Sequence, residues 1–259
     1  MIEIKGLTKS FFKKPVVEDV SITIEPRTIT SFIGPNGAGK STLLSMVSRL
    51  LEADTGEVLL DQNDVKKWKS NEFAKRVSIL KQSNHINVRL RVRELVAFGR
   101  YPYSKGRLNQ EDKAFVDQAI DYMNLRDLQD RFLDELSGGQ KQRAFIAMVI
   151  AQNTDYILLD EPLNNLDMKH SVQIMKILRM LVDDLGKTVV IVLHDINFAS
   201  FYSDRIVALK EGKLVKNGPT HEVIRPDSLR EIYEMDIPVQ EQDGCRVCVY
   251  FNSYTSEAN

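Results

Sequence analysis

The sequence lacks long hydrophobic runs, has few cysteines and carries almost no excess of charge of one sign. The apolar run Phe145 to Ala151, like every other apolar run in the sequence, is far shorter than the ~20 residues that span a bilayer. The first residues, Met1-Ile2-Glu3-Ile4-Lys5, have no hydrophobic region of the kind found in secretory signals. The sequence therefore predicts neither a membrane-spanning nor a secreted protein, and we expect a soluble, cytosolic chain.

The cysteines are Cys245 and Cys248, and their C-x-x-C spacing occurs in redox and metal sites. The segment around them, Cys-Arg-Val-Cys-Val-Tyr-Phe, is typical of a strand, in which positions i and i+3 point to opposite faces. No second Cys/His pair lies nearby to complete a zinc site. We therefore expect no functional pair here.

The charges nearly cancel, with 35 Lys+Arg against 36 Asp+Glu and a net charge of −1. No overall basic field exists, so contact with nucleic acid or anionic lipid would need a local patch. With 259 residues, 43% of them hydrophobic, the chain can bury a core of its own. No repeat, low-complexity run or second domain is visible.

A glycine-rich segment is the most informative part of what is present. It fits the pattern G-x-x-x-x-G-K-[ST] and lies between an apolar run, Ile29 to Ile33, and a helical pattern. The residues of this phosphate loop are Gly34, Pro35, Asn36, Gly37, Ala38, Gly39, Lys40, Ser41 and Thr42. Its glycines allow backbone N–H groups to surround phosphate oxygens at a helix N-terminus, Lys40 adds positive charge, and Ser41 offers a hydroxyl to Mg²⁺. A plain glycine-rich turn is the alternative, but the flanking strand and helix favour nucleoside triphosphate binding.

Two other apolar strands end in polar residues. Tyr156 to Leu159 is followed by Asp160 and Glu161, and Thr188 to Leu193 is followed by His194. Ligands of open α/β sheets bind at the carboxyl ends of strands, where Asp160 can hold Mg²⁺ and Glu161 can polarise a water. A solvated acidic strand end is the alternative, but a phosphate loop needs such a partner. His194 is placed to donate to a phosphate oxygen, although a lone histidine is more often structural.

A second candidate anion site lies at Leu136-Ser137-Gly138-Gly139-Gln140. Ser137 is a good helix N-cap, and Gly138 and Gly139 leave backbone N–H groups accessible at a helix start. The site suggests that a nucleotide is held from two sides. A plain helix cap explains the same residues nearly as well.

Between these motifs, the character of the chain changes. A basic and aromatic segment runs from His85 to Arg107 and is followed by a helix that Asn109 can cap. The segment contains Arg89, Arg91, Arg93, Phe98, Arg100, Tyr101, Tyr103, Lys105 and Arg107. It has more arginines than its own domain needs to bury, so we expect a surface that contacts nucleic acid, a protein or lipid, or a merely solvated face.

Short alternating patterns before the phosphate loop predict antiparallel strands. Among them lies the pair Phe11-Phe12, in a polar segment. An aromatic ring there can pack in the core or stack on an adenine, and the sequence alone favours core packing.

In this order, the phosphate loop, Gln82, Leu136 to Gln140, Tyr156 to Glu161, Asn165-Leu166-Asp167 and His194 resemble the nucleotide-binding subunit of an ABC transporter. The resemblance covers nearly the whole chain. It implies an α/β fold, a single ABC ATPase domain over residues 1–259. That fold has a RecA-like P-loop NTPase core with an antiparallel β subdomain (residues 1–82 and 136–259) and an inserted α-helical subdomain (residues 83–135).

The resemblance also implies roles for the site residues, with ATP and Mg²⁺ as cofactors. Two copies of the chain would sandwich two ATP molecules, each phosphate loop facing Ser137, Gly138, Gly139 and Gln140 of the other copy. The implied catalytic residues are Glu161 as general base, His194 as γ-phosphate contact, Gln82 as sensor of Mg²⁺ and γ-phosphate, and Lys40. Asp167 would contact the other copy, Phe11 would stack on adenine with Phe12 as the alternative, and the Mg²⁺ ligands would be Ser41, Gln82 and Asp160.

The implied partners are a second copy, integral membrane permease subunits and, indirectly, an extracytoplasmic substrate-binding protein. The basic and aromatic segment falls where such subunits dock their permease, which favours docking over nucleic acid. Three stretches, beginning at Ser31, Val96 and Leu163, resemble importers of ferric siderophores, haem and cobalamin, above all petrobactin-type importers. We therefore expect an iron–siderophore import ATPase at the cytoplasmic face of the membrane; the alternative is a non-transport ABC ATPase of the iron–sulfur assembly or DNA-associated type.

Overall fold

The computed structural model describes residues 1–82, 88–242 and 244–251. Its first elements are β1 (Ile2–Phe11), β2 (Lys14–Ile24), β3 (Ile29–Ile33), α1 (Lys40–Val47), β4 (Thr55–Leu60), β5 (Asn63–Asp64), α2 (Ser70–Arg76), β6 (Val77–Leu80), α3 (Val92–Phe98), α4 (Tyr101–Ser104) and α5 (Gln110–Tyr122). They are followed by α6 (Gly138–Ala151), β7 (Tyr156–Asp160), α7 (Met168–Asp183), β8 (Thr188–Val192), α8 (Ile196–Tyr202), β9 (Arg205–Lys210), β10 (Lys213–Pro219), α9 (Thr220–Val223), α10 (Pro226–Tyr233), β11 (Val239–Gln242) and β12 (Cys245–Cys248).

A six-stranded sheet in the order β10-β9-β3-β8-β7-β6 forms the centre of the molecule. Strands β9, β3, β8, β7 and β6 run parallel, and β10 pairs antiparallel with β9 at one edge. Every residue of β3, β7 and β8 is buried, as expected for parallel strands whose two faces are both covered. Because the strands are parallel, the phosphate loop, Asp160 and His194 lie at or just after strand ends at the same edge of this sheet.

Two hydrophobic clusters cover the two faces of the central sheet. Neighbouring residues of a strand point to opposite faces, and accordingly Leu158 belongs to one cluster and Leu159 to the other. On the Leu158 side lie α1 and the antiparallel sheet β2-β1-β4-β5, which confirms the predicted N-terminal antiparallel strands. On the Leu159 side lie helices including α3, α5, α6 and α7.

The helical insert packs on α6 through α3 and α5. Its residues Leu95, Val116 and Ile120 belong to the same cluster as Ala147 of α6 and Leu159 of β7. Asn109 caps α5 as the sequence predicts, because its side chain accepts from Asp112 N. The expected start of the insert at Ser83, like His85 of the basic segment, lies outside the described residues.

The last strands form the hairpin β11-β12, in which Gln242 pairs with Cys245. A turn at Asp243-Gly244 is typical of such a hairpin, although Asp243 lies outside the described residues. Cys245 is half-buried and Cys248 is buried, and burial raises the pKa of the Cys248 thiol to about 11. Throughout the described ranges, no helix has the length and hydrophobicity needed to cross a membrane.

Candidate active site

Close packing explains the outer glycines of the phosphate loop. A Cβ at Gly34 would lie 1.9 Å from the carbonyl oxygen of Leu209, and a Cβ at Gly39 would lie 2.4 Å from that of Val16. Both glycines also have positive φ, 135° and 94°. At Gly37 the added Cβ would meet no atom within 4 Å, but φ is 78°, which also favours glycine. The loop is therefore held tightly between β2 and β9.

The turn between β9 and β10 supports the loop, a role that the sequence did not predict. Gly212 N donates to Ala38 O (3.2 Å), and Glu18 N donates to Gly212 O (2.8 Å). A Cβ at Gly212 would lie 2.7 Å from Val16 O, so the turn approaches β2 as closely as only glycine allows. These backbone contacts fix the position of the phosphate loop relative to two sheets.

Lys40 is buried at the start of α1. Its Nζ donates to the carbonyl oxygens of Gly34 (2.7 Å) and Pro35 (2.9 Å), so the ammonium group lies against its own loop. Burial lowers the pKa of Lys40, and the negative charges of Glu161 and Asp160 oppose that shift. The positive charge is thus held between the loop and two acidic side chains.

Ser41 and Asp160 meet across the edge of the sheet. Ser41 Oγ donates to Asp160 Oδ1 at 2.7 Å. Burial raises the pKa of Asp160, while the hydrogen bond from Ser41 acts in the opposite direction. A hydroxyl and a carboxylate oxygen are hard oxygen ligands of the kind that Mg²⁺ prefers, so this pair fits a magnesium site.

Glu161 is the residue at which the sequence-predicted side chains converge. Only 8% of it is exposed, and its backbone φ is 51°, a strained conformation for a residue with a side chain. Gln82 Nε2 donates to Glu161 Oε2 at 2.7 Å, and His194 Nε2 lies 2.7 Å from Oε1. The carboxylate also accepts from Asn164 Nδ2 at 2.6 Å, which the sequence did not predict. A polar residue in the turn that follows Glu161 was the available signal.

The second candidate anion site is a capped helix start. Gln140 N donates to Ser137 Oγ (3.3 Å) and Ser137 N donates to Gln140 Oε1 (3.0 Å), which confirms Ser137 as the N-cap of α6. A Cβ at Gly139 would lie 3.2 Å from Asn165 O, and one at Gly138 would lie 3.7 Å from Asn165 Cβ. The structure therefore places these glycines beside the Asn165 turn of the same chain.

Asp167 ends that turn and caps α7. Its Oδ1 accepts from His170 N (2.8 Å) and lies 2.7 Å from His170 Nδ1. The hydrogen bond from His170 N is the main reason why the pKa of Asp167 is lowered. Its side chain is 64% exposed, so the carboxylate is accessible to a partner.

The pair Phe11-Phe12 lies on the surface, so the expectation of core packing is wrong. Phe11 ends β1 with 42% of its area exposed, and Lys9 Nζ lies 5.7 Å from the centre of its ring. Phe12 is fully exposed with φ at 49°, in the tight turn between β1 and β2. The turn leaves the rings too few neighbours to be buried.

The expectation of a surface rich in free arginines is wrong at Arg93 and Arg100. Arg100 is buried, forms an ion pair with Asp112 at 2.9 Å and donates to Ala151 O at 3.1 Å. Arg93 donates to Asp117 Oδ1 (2.7 Å) and to Gln129 Oε1 (2.9 Å). The insert itself supplies the acidic partners of both arginines, so each arginine side chain connects elements within the fold.

Arg89 and Arg91 are exposed near the start of the described part of the segment, and aromatic and basic residues are exposed together near its end. Phe98 and Tyr101 are 50% and 59% exposed, and Lys105 and Arg107 follow them on the surface. We call these four residues the insert face. The segment therefore offers an apolar surface with a basic margin.

A family model, curated relatives and solved structures match this chain. The family model described as ABC transporter matches residues 17–164, more than half of the chain. The petrobactin import ATP-binding protein of Bacillus subtilis is 60% identical over 97% of this chain and 100% of its own, and that of Bacillus anthracis (FatE) is 47% identical over 96% and 100%. Among solved structures, an ATP-binding cassette in a dimeric post-hydrolysis state with ADP and Pi matches with a TM-score of 0.77 and 30% identity, over 85% of this chain and 99% of that one.

Proposed function

This chain belongs to the ABC transporter family, and we propose that its site binds and hydrolyses MgATP to drive the import of an iron–siderophore complex. The observation that carries the proposal is the arrangement at one edge of the central sheet. There the phosphate loop, the Ser41–Asp160 pair and a buried glutamate with convergent donors lie together. ATP hydrolysis is the activity of the family; the residue roles and the cargo are the proposal.

The phosphate loop binds the triphosphate. Its backbone N–H groups and Lys40 surround the β- and γ-phosphates, and the N-terminus of α1 adds a partial positive charge. Lys40 would exchange its contacts with Gly34 and Pro35 for phosphate oxygens. Ser41 and Asp160, joined by Gln82, would hold Mg²⁺, which when bound neutralises charge on the phosphate oxygens.

Glu161 acts as the general base. The oxygen of a water attacks the γ-phosphorus, the bond to the β–γ bridging oxygen breaks, and the proton of the water passes to Glu161. ADP leaves with the bridging oxygen. Gln82 and His194 hold the carboxylate in place. With nucleotide bound, they would contact the γ-phosphate region.

The second anion site contributes to ATP hydrolysis in another copy of the chain. Ser137, Gly138, Gly139 and Gln140 would close over the triphosphate bound by the phosphate loop of the second subunit, and Asp167 would contact that subunit. The exposed carboxylate of Asp167 supports this arrangement, as does the dimer formed by the solved cassette. Phe11 or Phe12 supplies the ring for adenine.

The partner that uses the energy of ATP hydrolysis is a membrane permease, on which this chain docks at the cytoplasmic face of the membrane. The insert face supports docking, because an apolar surface with a basic margin suits a protein partner. The burial of Arg100 and the pairing of Arg93 remove charge that nucleic acid binding would need. The relatives named as petrobactin importers support a catecholate iron–siderophore as cargo, delivered by an extracytoplasmic binding protein, and the non-transport alternative is not favoured.

A pair of variants tests the proposal. Glu161→Gln should keep MgATP binding but lower hydrolysis by about 10²- to 10⁴-fold, because the amide keeps the volume and cannot accept the proton. Lys40→Ala should instead weaken ATP binding itself. Both variants should abolish uptake of radiolabelled iron–petrobactin by cells that lack the native gene. Wild-type ATPase activity of Glu161→Gln would contradict the role of Glu161 as general base. Normal uptake of iron–petrobactin by cells without the gene would contradict the proposed cargo.

A further inference from the structure

Asn164 holds the carboxylate of Glu161 from within the turn that follows it. Its side chain donates to Glu161 Oε2 at 2.6 Å, and its backbone N donates to Glu161 O at 3.3 Å. Gln82 Nε2 also donates to Glu161 Oε2, and His194 Nε2 lies 2.7 Å from Glu161 Oε1. Oε2 therefore receives two donors, and the remaining room to accept a proton from water lies on Oε1.

Packing alone does not hold this carboxylate. A cavity of about 190 Å³ adjoins Glu161 and is lined among others by Leu163, Asn164, Ser171, His194, Asp195 and Phe198. A glutamate beside such a space has other rotamers open to it, and the loss of side-chain freedom must be offset by directed bonds. Asp195, on the same cavity, is held by the backbone N–H groups of Asn197 and Phe198, whereas Glu161 is held by side-chain donors.

The turn connects this hydrogen bond to the start of α7. Leu166 N donates to Leu163 O (3.2 Å), and Ser171 N donates to Asp167 O (2.9 Å). Asn165, in the same turn, lies against Gly138 and Gly139 of α6. The position of the Asn164 amide is thus set by elements that include the second anion site.

We propose that Asn164 is a positioning residue for the catalytic step: its amide orients the Glu161 carboxylate so that Oε1 faces the attacking water. The inference rests on the proposed role of Glu161 as general base. Asn164 acts through Glu161 and needs no contact with the nucleotide. The rate of hydrolysis, and not the affinity for ATP, should therefore depend on it.

Two substitutions separate this role from a role in shaping the turn. Asn164→Ala removes the donor and should lower kcat by about tenfold, with KM and the affinity for MgATP within about twofold of wild type. Asn164→Asp keeps the turn, because Asp and Asn favour the same turns, but places a second carboxylate against Glu161. It should therefore be slower than Asn164→Ala.

The measurements are steady-state ATPase kinetics and equilibrium binding of MgATP, with thermal unfolding to establish that each variant is folded. The matched control is Asn217→Asp, an exposed position on β10, which should keep the wild-type kcat. If Asn164→Asp keeps the wild-type rate while Asn164→Ala is slow, Asn164 shapes the turn and the proposal is wrong. Unchanged kcat in both variants, or a loss that appears only in KM, also overturns it. Glu161→Gln is measured in parallel to separate a failure of this inference from a failure of the proposed function. Normal ATPase activity of Glu161→Gln would contradict the role of Glu161 as general base, whatever the Asn164 variants do.

Discussion

At the residue scale, the carboxylate of Glu161 is held by side chains from three separate parts of the chain, Gln82, Asn164 and His194. Lys40, Asp160, Glu161 and His194 could be proposed as site residues from the sequence, because each lies at or just after the end of a buried strand or in a fixed glycine pattern, which is local information. The hydrogen bond from Asn164 could not be predicted, because it depends on the left-handed backbone of Glu161 that turns the carboxylate back over its own turn. A strained backbone of this kind is visible only in the folded chain.

Phe11 and Phe12 illustrate the same limit for burial. A pair of large apolar residues in a sequence is usually buried, yet both rings here lie at a two-residue turn with little to pack against. Our proposal assigns the stacking on adenine to one of these two exposed rings. Their unequal backbones favour Phe11, which belongs to β1 and is held by the sheet, whereas Phe12 lies in the turn.

We expect Phe11→Ala to weaken ATP binding and Phe11→Tyr to leave it unchanged, since stacking on a base contributes about 1 to 3 kcal/mol and tyrosine keeps the aromatic face. Equilibrium titration of the purified chain with MgATP measures the effect. Phe12→Ala is the matched control and should bind ATP as wild type does. If Phe12→Ala shows the loss and Phe11→Ala does not, the adenine stacks on the next residue of the turn.

At the scale of elements, the helical insert shows what pattern reasoning can and cannot supply. Its helices follow from periodicity and from the Asn109 cap, both of which are local. Whether an arginine of the insert is buried or exposed depends on partners that are distant in the sequence. Arg100 pairs with Asp112 of α5 and also reaches the carbonyl oxygens at the end of α6. It thereby joins α5 to α6 and, through α6, the insert to the core.

Arg100→Met should therefore destabilise the fold rather than only alter its surface. Removing one partner of a buried ion pair leaves the other charge uncompensated and costs about 3 to 5 kcal/mol. Chemical denaturation of the chain without nucleotide would measure the change. Arg89→Met is the matched control, because Arg89 is 63% exposed and its 3.5 Å pair with Asp134 should contribute less than about 1 kcal/mol. Equal stability of the two variants would contradict the structural role of Arg100.

At the scale of the whole molecule, the architecture was largely predictable because the order of its motifs is distinctive. The parallel strands appear as continuous apolar runs, and their carboxyl ends bring the phosphate loop, Asp160 and His194 together. The support of the phosphate loop by the turn at Gly212 was not predictable, because it joins residues far apart in sequence through backbone atoms alone. Backbone contacts of this kind leave no side-chain pattern beyond the glycine itself.

The insert face provides the last prediction, which concerns the permease. Phe98 and Tyr101 are large, exposed and close in sequence to the end of α3, so they suit the buried centre of an interface, where aromatic residues contribute most of the binding energy. The double substitution Phe98→Ser/Tyr101→Ala should therefore leave the basal ATPase of the purified chain intact. Binding to the permease, measured in detergent or nanodiscs, should weaken by about 30-fold or more, and iron–siderophore uptake should fall with it. Phe201→Ser, an aromatic residue on α8 that is 60% exposed, is the control and should change neither. Normal uptake by the double variant, or an equal loss in the control, would show that the permease docks elsewhere.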